Sequence, residues 1–198
     1  MKDFLKISAL ALLIISMASV SLALPKVGAL AGYRSNKATA DNGVNYNATP
    51  GYQVGGLLFF TFTDLFAFRT GLIYTARDVN ASFGTLELKS KIAYLDVPVN
   101  AQISLPLTGL YAFGGLKLGF KSSSSCEVLN ATLTCVSNSV APLNILFNIG
   151  PGYELVNLGV MKLAVEGEYE MGLTNASTSS DKVTTNGFAV NAVLVFGI

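Results

Sequence analysis

The sequence predicts an all-β fold: an eight-stranded antiparallel up-and-down transmembrane β-barrel, with short turns at one end and four long loops at the other. Three observations predict it. The closing stretch places Phe188, Val190, Ala192, Leu194, Phe196 and Ile198 opposite the small or polar set Gly187, Ala189, Asn191, Val193, Val195 and Gly197. A period of two is a strand, and one face suited to hydrocarbon with the other suited to a crowded interior is how a transmembrane barrel strand reads. Charged residues are 13 % of the 198 residues. A soluble domain carries about 25 %, which it needs to cover its surface, whereas a lipid-facing wall needs none. Seven further stretches alternate in the same way, and the connections between strands run long, short, long, short, long, short, long.

The first strand spans Lys26 to Asn36, and a polar loop covers Lys37 to Pro50. The second runs from Tyr52 to Phe62, with Gln53, Gly55, Leu57, Phe59 and Thr61 on the inner face, and ends in a tight turn at Thr63 to Leu65. The third spans Phe66 to Arg77, followed by a polar loop from Asp78 to Lys89. The fourth, Ser90 to Ser104, contains Pro98, which removes a ladder donor and predicts a bulge or local fray. After a turn at Leu105 to Gly109 comes the fifth, Leu110 to Lys121, and then a Ser-rich loop reaching Ser139. Ala141 to Leu155 is the sixth, bent at Pro151; a turn at Val156 to Gly159 leads to the seventh, Val160 to Leu173. The polar loop Thr174 to Thr184 precedes the closing strand.

Outward aromatics sort to the strand ends. Tyr33, Tyr52, Tyr74, Phe120, Tyr169 and Phe188 fall nearest the long loops, and Phe62, Phe66, Phe68 and Phe196 at the other end. Two such girdles match the two interfaces of a bilayer.

The N-terminus joins a basic start, MKDFLK, to an apolar run from Ile7 to Val20, then small residues at Ser21 to Ala23. That run is 14 residues, short of the roughly 20 of a spanning helix, so residues 1–23 are expected to be a cleaved signal peptide and 24–198 the barrel. Loss of Lys2, Lys6 and Asp3 takes 13 basic and 12 acidic residues to 11 of each, a balance that does not attract nucleic acid. Cys126 and Cys135, the two cysteines, are separated by eight residues, and in an exported chain such a pair reads as a disulfide. With two thiols and no histidine, neither a metal site nor a cofactor is expected.

Inward-facing charges are Arg34, Arg69, Arg77, Lys117 and Lys121 with Asp96, Glu154, Glu166, Glu168 and Glu170. Five of each sign can neutralise one another inside an eight-stranded interior, which is just wide enough for side chains. The expected role is a polar plug, with a gated narrow pore as the alternative. The Glu166, Glu168 and Glu170 row shares one strand face, but its spacing alone does not make it an acid/base or cation site. Asn47, Asn80, Asn130 and Asn175 each open an N-A-[ST] triplet in a predicted loop, which reads as turn-forming composition. For the two faces of the closing strand, Leu194→Arg is expected to impair insertion and Asn191→Ala to be mild.

The whole mature chain resembles the small eight-stranded outer-membrane barrels of the OmpX and OmpA membrane-domain type. The resemblance is carried by the leader, the eight alternating stretches, the alternating connections, the YLDVPV segment from Tyr94 to Val99, and the aromatic closing strand. The last departs from the family's usual final Phe, having Ile198. It implies location in the outer membrane of a Gram-negative bacterium, contact with outer-membrane lipid, and recognition of the C-terminal strand by the barrel-assembly machinery. It implies no substrate. Enzymatic barrels of that membrane resemble one another in using histidine, which this chain lacks, so no enzymatic activity is expected. The expected role is structural or surface-interacting, through an unidentified extracellular partner and as a monomer; the alternatives are a porin-like small-solute channel and a secreted, lipocalin-like ligand-binding barrel.

Overall fold

The computed structural model describes residues 25–40, 48–83, 86–129, 140–177 and 183–197. The expected signal peptide and Cys135 lie outside these residues. The strands are β1 (Lys26–Ala40), β2 (Thr49–Thr61), β3 (Phe66–Ala76), β4 (Val79–Phe83), β5 (Leu86–Ser104), β6 (Leu110–Leu129), β7 (Leu143–Asn157), β8 (Met161–Gly172) and β9 (Val183–Phe196). Neighbours follow the order β3-β2-β1-β9-β8-β7-β6-β5-β4, and β3 also pairs with β5, which closes a ring of eight staves. Every pairing is antiparallel. Closure leaves no open edge within the ring, the condition for backbone to cross a bilayer as strands.

The ninth strand corrects the predicted loop at Asp78 to Lys89. β3 meets β5 through Ala76↔Ala93, and β4 meets it in the same register from Val79↔Ser90 to Phe83↔Leu86. The third stave therefore continues past Arg77 as a hairpin beyond the ring. The signal was present as Val79, Ala81 and Phe83 in alternation, masked by the polar residues between them. Likewise β6 runs to Leu129, so Cys126 stands on a strand and not in a loop. Asn80 falls in β4 for the same reason.

Pro98 and Pro151 each act on one side only. The β3–β5 ladder steps from Thr70↔Val99 to Ile73↔Asp96, passing over Pro98, while β6 keeps Pro98↔Lys117 in register. The β7–β8 ladder steps from Ile149↔Tyr169 to Gly152↔Glu166 over Pro151, and β6 keeps Ala112↔Pro151. In antiparallel pairing a residue's N–H and C=O point to one neighbour, so a proline removes a bond to that neighbour alone. Of the bulge or local fray expected at Pro98, the ladder shows the fray, and the register shifts occur elsewhere, at Ala93/Tyr94 and at Glu154/Val156.

The short turns are built by side-chain caps. Thr63 Oγ1 accepts from the N–H groups of Leu65 (3.2 Å) and Phe66 (3.0 Å). Thr108 Oγ1 donates to the Leu105 carbonyl at 2.9 Å and accepts from Leu110 N–H at 3.1 Å, beside Leu107 at φ 66°. Asn157 Oδ1 accepts from Gly159 N–H at 3.0 Å, where φ is 81°.

Side chains alternate as the pattern requires. On β9, Gly187, Ala189, Asn191 and Val193 are buried and Phe188, Val190 and Ala192 exposed. The exposed set includes the outer aromatics Tyr33, Tyr52, Tyr74, Phe120, Tyr169 and Phe188 and the turn-end Phe62, Phe66 and Phe196. A large apolar exterior of this kind is a lipid contact. Inside, Leu30, Leu57, Phe59, Ile73 and Val193 pack as one apolar cluster, and Tyr111, Phe113 and Ala164 as a second. Leu146, Tyr94 and Ala189 are buried outside these clusters, and the large remaining buried side chains are mostly polar or charged.

Candidate functional site

β8 directs Glu166, Glu168 and Glu170 into the lumen, each 3 % exposed or less. Their partners come from other staves. Glu166 takes a bidentate pair from Arg69 on β3, Nη1 to Oε1 at 2.6 Å and Nη2 to Oε2 at 3.0 Å, and the Tyr111 hydroxyl donates to its Oε1 at 2.8 Å. Glu168 accepts from Lys117 Nζ (2.6 Å), Asn148 Nδ2 (3.0 Å), Gln53 Nε2 (3.1 Å) and Asn191 Nδ2 (3.3 Å). Glu170 accepts from Arg34 Nη2 at 2.5 Å and also from Lys117 Nζ.

Arg34 is held further by Nε donating to Asn36 Oδ1 at 2.7 Å and Nη1 to Gln53 Oε1 at 3.1 Å. Arg77 donates to Asp96 Oδ2 at 2.6 Å, and the Thr75 hydroxyl donates to the same oxygen at 2.8 Å. The guanidinium of Arg69 lies 4.2 Å from the Phe113 ring and that of Arg77 lies 4.7 Å from the Tyr94 ring. Stacking on rings lets the planar cations shed water on their faces while their edges bind carboxylate.

The buried charges among the described residues are thus Arg34, Arg69, Arg77 and Lys117 against Asp96, Glu166, Glu168 and Glu170. Four of each sign share the lumen, not five. Lys121 and Glu154 lie outside this cluster. Lys121 Nζ donates to the Val140 carbonyl at 3.0 Å near the outer end. Glu154 pairs at the turn end with Lys162, at 2.9 and 3.1 Å, both only partly buried. Lys162 is the charge the sequence reading left out, although it shares the inner face of β8 with the three glutamates.

Space for these side chains is made by glycine. A Cβ on Gly152 would stand 2.2 Å from the Tyr111 ring, and one on Gly32 would stand 1.9 Å from Asn191 Oδ1. The long polar groups lean over these positions. No sequence rule assigns which inward glycine receives which neighbour. Asn175, one of the four N-A-[ST] positions, uses its Oδ1 to accept from Ser177 N–H (3.0 Å) and Val183 N–H (2.8 Å) at the outer end.

A closed ring of antiparallel strands with an apolar outer wall, aromatic rims and charges directed inward defines an integral outer-membrane β-barrel. The chain belongs to the outer membrane protein beta-barrel domain family, whose model matches residues 22–178. Its place is the outer membrane of Gram-negative bacteria, and the alternative of a secreted soluble barrel gives way to that. Among solved structures, the chain is similar to Ail, the attachment invasion locus protein of Yersinia pestis, seen in complex with the heparin analogue sucrose octasulfate. Identity is 13 %, with 87 % of this chain and 99 % of that one covered at a TM-score of 0.50. It is similar also to Neisserial surface protein A, at 12 % identity, 87 % and 97 % coverage and a TM-score of 0.50. At such identities the likeness is one of fold. No curated protein matches the chain.

Proposed function

We propose that this chain is a structural or surface-interaction barrel: a membrane anchor whose lumen is sealed by its own paired charges and whose outer hairpins meet the exterior. The observation that carries the reading is the Arg69–Glu166 pair. β3 and β8 are four staves apart in either direction around the ring of eight, so this pair spans the lumen along a diameter. Shorter chords from Lys117 on β6, Gln53 on β2 and Arg34 on β1 converge on the same glutamate row. The lack of any histidine supports a role other than catalysis.

The outer part of the reading rests on the projecting strands. β4, β5 and β6 extend beyond the ring, and β6 carries Cys126 with it. A disulfide to Cys135 would clip the connection to β7. The closing strand, exported behind a signal peptide of residues 1–23, would be the segment handled by the assembly machinery. Planar-bilayer recording from the refolded mature chain tests the sealed lumen, once gel mobility shows that it folds only with detergent or lipid. Silence is the expected result. Steady single-channel steps would replace the seal by a narrow small-solute channel.

A further inference from the structure

The two rims of the barrel differ in chemistry. At the loop end the exposed aromatics are mainly tyrosines, Tyr33, Tyr52, Tyr74 and Tyr169, whose hydroxyls suit the headgroup level of a leaflet. At the turn end they are Phe62, Phe66 and Phe196, and among the described residues only Tyr153 adds a hydroxyl there. Rings without a polar handle suit the hydrocarbon side of the boundary. Beyond that belt the turns still carry apolar side chains. Leu65 precedes Phe66, Leu105 lies two residues past Ile103, the register partner of Phe66, and Leu158 and Val160 lie just past Met161, the partner of Phe196. These four are 43, 54, 63 and 72 % exposed. Thr63, Thr108 and Asn157 cap the three turns, so the turn backbone depends less on water. Short turns face the inner leaflet in barrels of this class, and these are suited to sit against it.

Between the turns lies a cavity of about 550 Å³, within the range of about 300–1,000 Å³ for small-ligand sites. The amide of Gln102 and the hydroxyl of Ser104 line its wall, and four charged residues line it besides. The charges divide in two. Lys162 and Glu154 neutralise each other at 2.9 Å on the side of the β7–β8 turn. Lys26, at the start of β1, and Asp64, in the β2–β3 turn, join no ion pair among the described residues. Asp64 is exposed and Lys26 half-buried. Beside this second sector stand Leu65 and Leu105, whose turns are joined by the Ser104 N–H donating to the Leu65 carbonyl at 2.8 Å.

The chemistry of that sector selects the occupant. A simple cation would meet the ammonium of Lys26 and a simple anion the carboxylate of Asp64, whereas a group bearing both charges a few atoms apart answers both. A free zwitterion has nothing to place on the leucines. A zwitterionic phospholipid has: its ammonium and phosphate match Asp64 and Lys26, and its acyl chains match the apolar rim. We propose that the turn-end cavity is a binding site for one zwitterionic phospholipid of the inner leaflet. The phosphate lies at Lys26, the ammonium at Asp64 within reach of the Gln102 carbonyl, and the chains pass over Leu65 and Leu105 into the leaflet. The site is open to the inner leaflet alone and does not depend on the sealed lumen.

The test uses the full mature chain purified in dodecyl maltoside. Dioleoylphosphatidylethanolamine or the anionic dioleoylphosphatidylglycerol is added at equal concentration, and retention is read by native mass spectrometry. One phosphatidylethanolamine per chain is expected, retained about tenfold better than phosphatidylglycerol. Lys26→Gln and Asp64→Asn should each weaken that retention by about tenfold, the loss of one bond to a charged group. Asp64→Lys should turn the preference toward phosphatidylglycerol. Lys26 and Asp64 lie outside the buried charge network, so these changes leave it intact. Free phosphoethanolamine should compete only at far higher concentration, since it lacks the chains. Equal retention of the two lipids, retention unchanged in Lys26→Gln and Asp64→Asn, or competition by phosphoethanolamine at the lipid's own concentration overturns the site. Should a variant fail to insert, amide shifts in the unaltered protein decide: on addition of dihexanoylphosphatidylethanolamine, shifts at Asp64, Leu65 and Leu105 are expected, and their absence overturns the proposal.

Discussion

Arg69 and Glu166 face each other from opposite staves of the ring, 97 residues apart in sequence, and join through two hydrogen bonds of 2.6 and 3.0 Å. The pair is a brace across the lumen as well as an obstacle in it. Its charges are desolvated, so its value depends on both members being present. Removing one leaves the other buried without compensation.

Arg69→Ala or Glu166→Ala alone should therefore lower barrel stability by about 3–5 kcal/mol. The double change Arg69→Met with Glu166→Leu should cost much less than the sum of the two single losses, because no charge is stranded. Urea titration of the folded barrel in detergent or lipid, followed by gel mobility, measures each corner. Additive losses would show that the two side chains do not interact.

The two faces of a stave should respond differently to charge. Leu72 is 51 % exposed on the outer face of β3, so Leu72→Arg should destabilise insertion by about 2–4 kcal/mol at mid-membrane depth. Asn191→Ala, expected to be mild from the strand pattern, is costlier once its partners are known. Asn191 accepts from Gln53 at 2.7 Å and donates to Glu168 at 3.3 Å, and its loss should cost about 1–3 kcal/mol. A membrane-fraction assay with a urea titration separates the two, since Leu72→Arg reduces the inserted yield and Asn191→Ala the stability of what inserts.

Gly152→Ala should loosen the Tyr111–Glu166 contact. The new methyl would overlap the Tyr111 ring, whose hydroxyl donates to Glu166 at 2.8 Å. Overpacking of this kind costs about 1–3 kcal/mol. Combining it with Tyr111→Ala should recover part of the loss caused by the methyl, as measured by a double-mutant cycle in the same urea titration.

Leu107→Gly should stabilise the β5–β6 turn. Leu107 is fully solvent-exposed at φ 66°. A left-handed conformation costs an L-residue about 1–2 kcal/mol, from which the extra unfolded-state freedom of glycine, about 0.5–1 kcal/mol, is subtracted. A rise in the urea midpoint is expected; a fall would mean that the Leu107 side chain contributes more at the membrane interface than its backbone costs.

Much of the architecture was legible because its determinants are local. Alternation along each stave, the short turns at Thr63 to Leu65 and Leu105 to Gly109, and the aromatic rims depend on neighbours within a few residues. Strand ends were less legible. Polar residues in β4 and the outer part of β6 resemble loop composition, because beyond the bilayer a strand no longer needs an apolar outer face, and pairing with β5 marks them as strands more clearly than the short Val79, Ala81, Phe83 alternation does. Lys162 was missed for a related reason: near a turn, an inward lysine and a solvent-exposed one look alike in sequence. The local fray expected at Pro98 is present, but on the β3 side alone, because a missing donor matters only where the N–H would have pointed.

The sequence by itself determined that this chain crosses a membrane as strands, which face of each stave meets lipid, and that acidic and basic groups share the interior. All three follow from a two-residue period and from composition. What the tertiary structure alone decided is who meets whom: Arg69 with Glu166, Lys117 with Glu168 and Glu170, and Arg34 with Glu170. Those meetings depend on the number of staves and their stagger when the sheet closes on itself. Closure brings buried side chains up to 138 positions apart into hydrogen-bond contact, and no local period carries that information.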